Sequence, residues 1–207
     1  MDFCGEKVEG HCQLSKDILR VDGVERNGRN RIDFPFLIGG DGANDLLRLA
    51  EIENESHLNK IDCNLNNLIN GCVDRLIDLF PKADVQIHTT SEEPIHLIAD
   101  TTLLDLALMN LLENAAKYSV PPAKIEISLE KHGNHIKIII ADHGIGVSPE
   151  HLEHFFERFY RIDENRSRTS GGSGLGLSIV QKIIQKHGGE ISVHSQLNVG
   201  TTFTILL

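Results

Sequence analysis

Apolar positions along the chain fall into two rhythms, and where the rhythm changes an element is expected to end. Leu65, Leu68, Ile69, Cys72, Val73, Leu76 and Ile77 recur at helical spacing, which predicts a helix from about Asn64 to Phe80, stopped by Pro81. A stronger helix is predicted over 101–118, capped by Asp100, with Leu104, Leu108, Leu111 and Ala115 as its buried stripe. The period then drops to two. Ile125, Ile127 and Leu129 alternate, Gly133-Asn134 supplies a turn, and Ile136, Ile138 and Ile140 alternate back, as in a hairpin.

Shorter signals fill the remainder. Asn44-Asp45 caps a short helix carrying Leu46, Leu47, Leu49, Ala50 and Ile52, and strand-like pieces fall at 85–89 and 95–98. A short helix is expected near 149–156, followed by a polar loop from Asp163 to Ser170. The glycine run 171–176 opens another helix with Leu177, Val180, Ile183 and Ile184 on one stripe, and Gly188-Gly189 ends it. Two last strands are expected at 191–194 and 201–206. The predicted fold class is an α/β two-layer sandwich: a mixed, mostly antiparallel sheet covered on one face by three helices. Residues 1–43 keep no period beyond one strand-like run, Ile32–Ile38, and are left unassigned.

The 207 residues suit one ordinary domain with an extension, and 40% hydrophobic residues with few aromatics predict an aliphatic core. A net charge of -10 argues against a broad nucleic-acid or anionic-membrane surface, though not against a local phosphate pocket. Cys4, Cys12, Cys63 and Cys72 form no zinc or disulfide pattern, so free thiols are expected. No membrane-length apolar run and no signal-peptide centre occur, so a cytoplasmic piece is expected, with room for a membrane-anchored parent.

Candidate chemistry lies between Asn110 and Thr202. Asn110, Glu113, Asn114 and Lys117 share one face of the 101–118 helix, where amides, a carboxylate and an ammonium suit hydrated magnesium and a triphosphate. The bland alternative is a solvated face. Asp142-His143-Gly144-Ile145-Gly146 follows a strand: its carboxylate can accept from an exocyclic amine, while its glycines admit a flat ligand. Gly171-Gly172-Ser173-Gly174-Leu175-Gly176 feeds a helix N-terminus, an anion site by nature, yet it is neither a Walker loop nor a good dinucleotide fingerprint. Arg161, Arg166 and Arg168 can reach phosphate oxygens.

Taken in order, Asn110-Leu-Leu-Glu113-Asn114-Ala-Ala-Lys117-Tyr118-Ser119, Asp142-His-Gly144-Ile-Gly146, Phe156-Glu-Arg-Phe159-Tyr160-Arg161 and Gly172-Ser-Gly174-Leu-Gly176-Leu resemble the catalytic domain of bacterial sensor histidine kinases. They match that family's N box, first glycine box, F box and second glycine box, and Gly200-Thr201-Thr202-Phe203 is similar to its closing segment. The resemblance implies the Bergerat ATP-binding fold, with ATP and Mg²⁺ as ligands. It implies Asn114 as the metal ligand supported by Asn110, Glu113 as a catalytic carboxylate, and Lys117 and Arg161 on the phosphates. Tyr118 would lie beside the nucleotide, Asp142 on the adenine amine, and Thr202 near the adenine. Gly144 and Gly146 would make room, and Gly172, Gly174, Leu175 and Gly176 would shape the lid and phosphate loop.

The resemblance further implies two partners, a histidine-bearing dimerisation domain and a response regulator. It divides the chain into 44–58, like the end of a dimerisation helix and its linker, and 59–207, the catalytic domain. One part departs from the family pattern. His11 is followed by Cys12 and Gln13 with Lys16 where a proline belongs, and His57, His88 and His96 also lack the acceptor flank. A nucleotide-binding module without phosphotransfer, and a gyrase, Hsp90 or MutL-type ATPase, stand as the alternatives.

Overall fold

The computed structural model describes residues 40–162 and 172–207. The expectations at Cys4, Cys12, His11, Ile32–Ile38, Arg166, Arg168 and Gly171 lie outside the described residues. The chain runs α1 (Gly40–Asn54), β1 (Ile61–Asn64), α2 (Leu65–Leu79), β2 (Asp84–Thr89), β3 (His96–Ala99) and α3 (Thr101–Tyr118). Then follow β4 (Lys124–His132), β5 (His135–Asp142), α4 (Pro149–Leu152), α5 (Gly176–Lys186), β6 (Glu190–Gln196) and β7 (Gly200–Leu206).

The main sheet has the order β2-β4-β5-β7-β6, with β2 parallel to β4 and the other neighbours antiparallel, while β1 and β3 pair separately. Alternation accounts for its buried face. Ile125, Ile127 and Leu129 of β4 pair with Asp142, Ile140 and Ile138 of β5, and Ile138 and Ile140 pair in turn with Ile205 and Phe203 of β7. The apolar members of these rows are buried and belong to one core. The covering helices α2, α3 and α5 bring Leu76, Leu111 and Ile183, each fully buried, which makes the expected two-layer sandwich.

Caps set the helix starts. Asn64 Oδ1 accepts from Asn67 N at 3.0 Å to begin α2, and Asp100 Oδ1 accepts from Leu103 N at 3.1 Å to begin α3. Gly133 takes φ 61° in the two-residue turn between β4 and β5, and Gly188, at φ 81°, follows α5.

Several expectations shift. Helix α1 begins at Gly40, not at an Asn44-Asp45 cap, and Asp45 is instead bonded to Ser173. Strand β1 was not expected, since Ile-Asp-Cys-Asn is too short for its alternation to stand out, and only Cys63 of it is buried. Helix α4 stops at Leu152, and Ile77 of α2 is exposed. The buried face of α5 also takes in Ser178 and Ile179. Cys63 and Cys72 are free and buried, and burial together with the Asp105 carboxylate pushes the Cys72 thiol up to about 12, so it stays protonated and unreactive. Among the described residues no helix is long and apolar enough to cross a membrane.

Candidate functional site

Helix α3 buries Leu104, Ala107, Leu108, Leu111, Leu112, Ala115 and Ala116. Its other face therefore carries Asn110, Glu113, Asn114 and Lys117 on successive turns. Lys117 Nζ lies 2.8 Å from Glu113 Oε2, so the cation is already positioned along this face. Asn110 Nδ2 donates to the Leu106 carbonyl at 2.9 Å, which turns Oδ1 toward the start of α5. A Cβ on Gly176 would stand 2.7 Å from that oxygen, so glycine is what lets α5 begin so close to the amide.

No side chain caps α5 with a hydrogen bond, so its first-turn N–H groups are available to an anion. The glycine segment ahead of it is held from two sides. Phe159 N donates to Gly174 O at 2.9 Å, and Gly174 sits at φ 73° against the Phe159 backbone, itself at φ 63°. Arg161 donates to the Gly172 carbonyl. The F-box stretch and the second glycine run thus form one unit, a contact that their order along the chain did not foretell. On the opposite side, Ser173 Oγ donates to Asp45 Oδ2 at 2.6 Å and accepts from Leu175 N at 3.1 Å. Two more contacts join α1 and the residues just after it to the domain: Arg158 pairs with Glu53, and Lys186 Nζ donates to the Glu55 carbonyl.

Asp142 closes the third side. Alternation along β5 puts it on the same face as Ile136, Ile138 and Ile140, so the strand's core row ends in a carboxylate only 8% exposed. Its Oδ1 accepts from Gly144 N at 2.9 Å and from Thr201 N at 3.2 Å. Burial pushes its pKa above the ordinary carboxylate value of 3.8, while those two N–H groups and His143 hold it down. Gly144 lies against the Tyr118 carbonyl, Gly146 at φ 61° against the Gln196 carbonyl, and Gly200 against the Asp142 carbonyl. None of the three contacts has room for a side chain. Ile145 N donates to Tyr118 O at 3.1 Å, and Asn198 N donates to Ile145 O at 2.7 Å, so the loop is stitched between the end of α3 and the β6–β7 turn.

The structure therefore gathers Asn110, Glu113, Asn114 and Lys117 on one face, with Gly176 against Asn110, and ties Tyr118 to the loop of Asp142, Gly144 and Gly146. Arg161, Gly172, Gly174 and Leu175 form the adjoining rim. Thr202 is a correction. It pairs with Ala141 and so lies on the sheet face opposite Asp142, whereas Thr201, buried and bonded to Asp142, is the residue at this corner. Sequence reading also missed Ser195 and the Asp45–Ser173 contact, and it gave Ser119, the last residue of the first motif, no role. Ser195 is a lone serine with no spacing to mark it, and the Asp45–Ser173 contact joins residues 128 positions apart. Ser119 Oγ is buried with no hydrogen-bond partner among the described residues, beside the Ser119–Gly144 bridge.

The residues fit a magnesium nucleotide. Gly176 brings the uncapped start of α5 against the Asn110 amide, and the α3 face offers amide and carboxylate oxygens. Among the described residues no group of three or more His, Cys, Asp and Glu side chains could hold a metal on its own. Magnesium bound mainly through phosphates and water asks for only one or two protein oxygens.

Comparison with known proteins agrees. Residues 99–207 match the family described as "Histidine kinase-, DNA gyrase B-, and HSP90-like ATPase". The chain is 37% identical over 169 residues to the sensor-like histidine kinase SenX3 of Mycobacterium tuberculosis, covering 81% of this chain and 41% of that protein. It is 39% identical over 145 residues to the signal transduction histidine-protein kinase ArlS of Staphylococcus haemolyticus, covering 70% and 32%. The chain thus spans about two fifths or less of these relatives. Among solved structures, the mycobacterial sensor histidine kinase MprB superposes with a TM-score of 0.63 at 29% identity, covering 72% of this chain and 96% of that one. The catalytic domain of the histidine kinase ThkA, in two nucleotide-free forms, superposes with a TM-score of 0.63 at 27% identity, covering 72% of this chain and 95% and 97% of those chains. With its five-stranded mixed sheet, helices on one face and ordered boxes, the chain belongs to the histidine kinase-, gyrase- and HSP90-like ATPase family, as an ATP-binding catalytic domain of the sensor histidine kinase type.

Proposed function

We propose that this domain binds Mg-ATP and transfers the γ-phosphate to a histidine on a dimerisation domain, as one half of a two-component relay. The observation that carries this reading is the meeting of Asn110 on α3 with Gly176 at the uncapped start of α5. It brings amides of the kind that can ligate magnesium beside N–H groups suited to phosphate. Asn114 would hold the metal with Asn110 in support, and Glu113 would serve as the base toward the acceptor imidazole. Lys117 and Arg161 would neutralise the phosphates, Leu175 and the glycines would carry the phosphate loop, and Tyr118 would flank the nucleotide. Magnesium, when bound, offsets charge on the phosphates, and positioning is most of what phosphoryl transfer asks of the protein.

Asp142 would accept from the adenine amine. The acceptor domain and the response regulator are the proposed partners, with 44–58 as the end of a dimerisation helix and its linker, and 59–207 as the transferring domain, on the cytoplasmic side of its cell. The test is incubation with γ-labelled ATP, with and without a separately made two-helix domain bearing an acceptor histidine, followed by an acid-lability assay. Acid-labile label on the added domain supports the proposal. ATP binding with no label on any acceptor domain, matched or related, would leave a binding module without transfer.

A further inference from the structure

Ser195 lies on β6, opposite Thr201 and in the same row as Asp142, and is 7% exposed. A serine hydroxyl has one proton and two lone pairs. Here all three are engaged: Ser195 Oγ accepts from Val147 N at 2.9 Å, donates to the Gly200 carbonyl at 2.9 Å, and lies 2.9 Å from Thr201 Oγ1. Since its one proton goes to Gly200, the bond to Thr201 runs the other way, with Thr201 donating to Ser195. The direction of that bond has a consequence at Asp142. Thr201 keeps only lone pairs to offer, and its own N–H goes to Asp142 Oδ1.

We propose that Ser195 is a positioning residue for recognition of the base: by taking the Thr201 proton and spacing Val147 from Gly200, it keeps the Asp142–Thr201 corner acceptor-only. Such a corner selects a ligand edge that carries an amine and rejects one that carries a carbonyl. Ser195 acts through these two residues and through the loop that ends at Val147; it does not touch the ligand. The inference rests on the reading of Asp142 as the acceptor for the adenine amine.

The test uses the 207-residue chain and three variants, Ser195→Ala, Thr201→Val and Asp142→Asn, titrated with Mg-ATP, Mg-GTP and magnesium with inorganic triphosphate. Ser195→Ala is expected to cut the ATP-over-GTP preference about tenfold and to leave inorganic triphosphate binding in place. A serine that merely supports the fold would weaken all three ligands together, and that pattern overturns the proposal. So does an unchanged preference. Should Ser195→Ala fail to fold, Thr201→Val decides: it offers the base no donor and leaves Asp142 accepting, so the ATP preference should persist, and its loss there overturns the inference. If the unmutated chain shows no preference for ATP and Asp142→Asn changes nothing, the Asp142 reading has failed. If Asp142→Asn abolishes a preference that Ser195→Ala preserves, only the role of Ser195 has failed.

Discussion

The backbone N–H of Asp100 donates to Nε2 of His187 at 3.0 Å, joining the residue that caps the start of α3 to the residue that ends α5. Nδ1 of the same ring lies 2.8 Å from the Ile183 carbonyl, so the ring is neutral, with its proton on Nδ1. Burial, opposed by the Ile183 carbonyl, holds its pKa below the ordinary 6.5. A proton on Nε2 would face a donor. The bond's contribution is therefore complete above pH 6.5 and declines as pH falls from there through the lower folded value. Thermal unfolding from neutral pH down to about 5 should show the melting temperature dropping, and His187→Ala should be less stable by about 1–3 kcal/mol at neutral pH with a shallower slope. Parallel slopes for the two proteins would remove His187 from the account.

Asp142→Asn should separate stability from recognition. The folded pKa is raised, so the buried charge costs stability at neutral pH, a cost that fades as pH falls through the raised value. An asparagine can still accept from Gly144 and Thr201 through its oxygen while carrying no charge. The variant is expected to melt higher at pH 7, by roughly 1 kcal/mol, and to lose much of its discrimination between ATP and GTP. A variant that melts lower would show that the negative charge is worth more to the fold than its burial costs.

Two glycines should fail in different ways. Alanine at Gly146 meets the Gln196 backbone at φ 61°, and neither side can give, so loss of the native fold or several kcal/mol of stability is expected. Alanine at Gly176 meets the Asn110 side-chain oxygen at 2.7 Å, which can swing aside. That protein should fold, with a melting temperature within a few degrees of the original, and bind Mg-ATP at least about tenfold more weakly. Equal ATP affinity would mean that Asn110 plays no part in the site.

Asn114→Ala should keep the fold, because the side chain sits on the half-buried polar face of α3 and not in its core. Its ATP affinity should fall and become nearly independent of magnesium. The measurement is a titration with a fluorescent ATP analogue at several magnesium concentrations, and a metal dependence equal to that of the unmutated chain counts against Asn114 as the ligand.

The elements that sequence reading placed well are those fixed by local chemistry. Asp100 caps α3 as its position implied, and the alternation of Ile136, Ile138 and Ile140 carried forward one more step to set Asp142 inward. Failures came where distant groups decide. Thr201 and Thr202 are adjacent and chemically alike, and only the pairing of β5 with β7 tells which one faces Asp142. Ile179 reads as off the α5 stripe, yet the helix is enclosed by α1, α3 and the sheet and buries a wider arc. The glycines at 40 and 42 read as coil, yet α1 runs through them.

Asp45 reaches Ser173 in the glycine segment and Glu53 reaches Arg158 in the F-box stretch, both from α1. Eight residues along a helix bring two side chains to within about 80° around its axis, so these two grips lie toward one flank. A rod held toward one flank at two points about two turns apart resists twisting. Turning α1 by the angle of a single residue, about 100°, would pull both grips off together. The glycine segment and the F-box stretch would feel that turn at the same moment, so α1 is geared to both in the manner of a key in a lock.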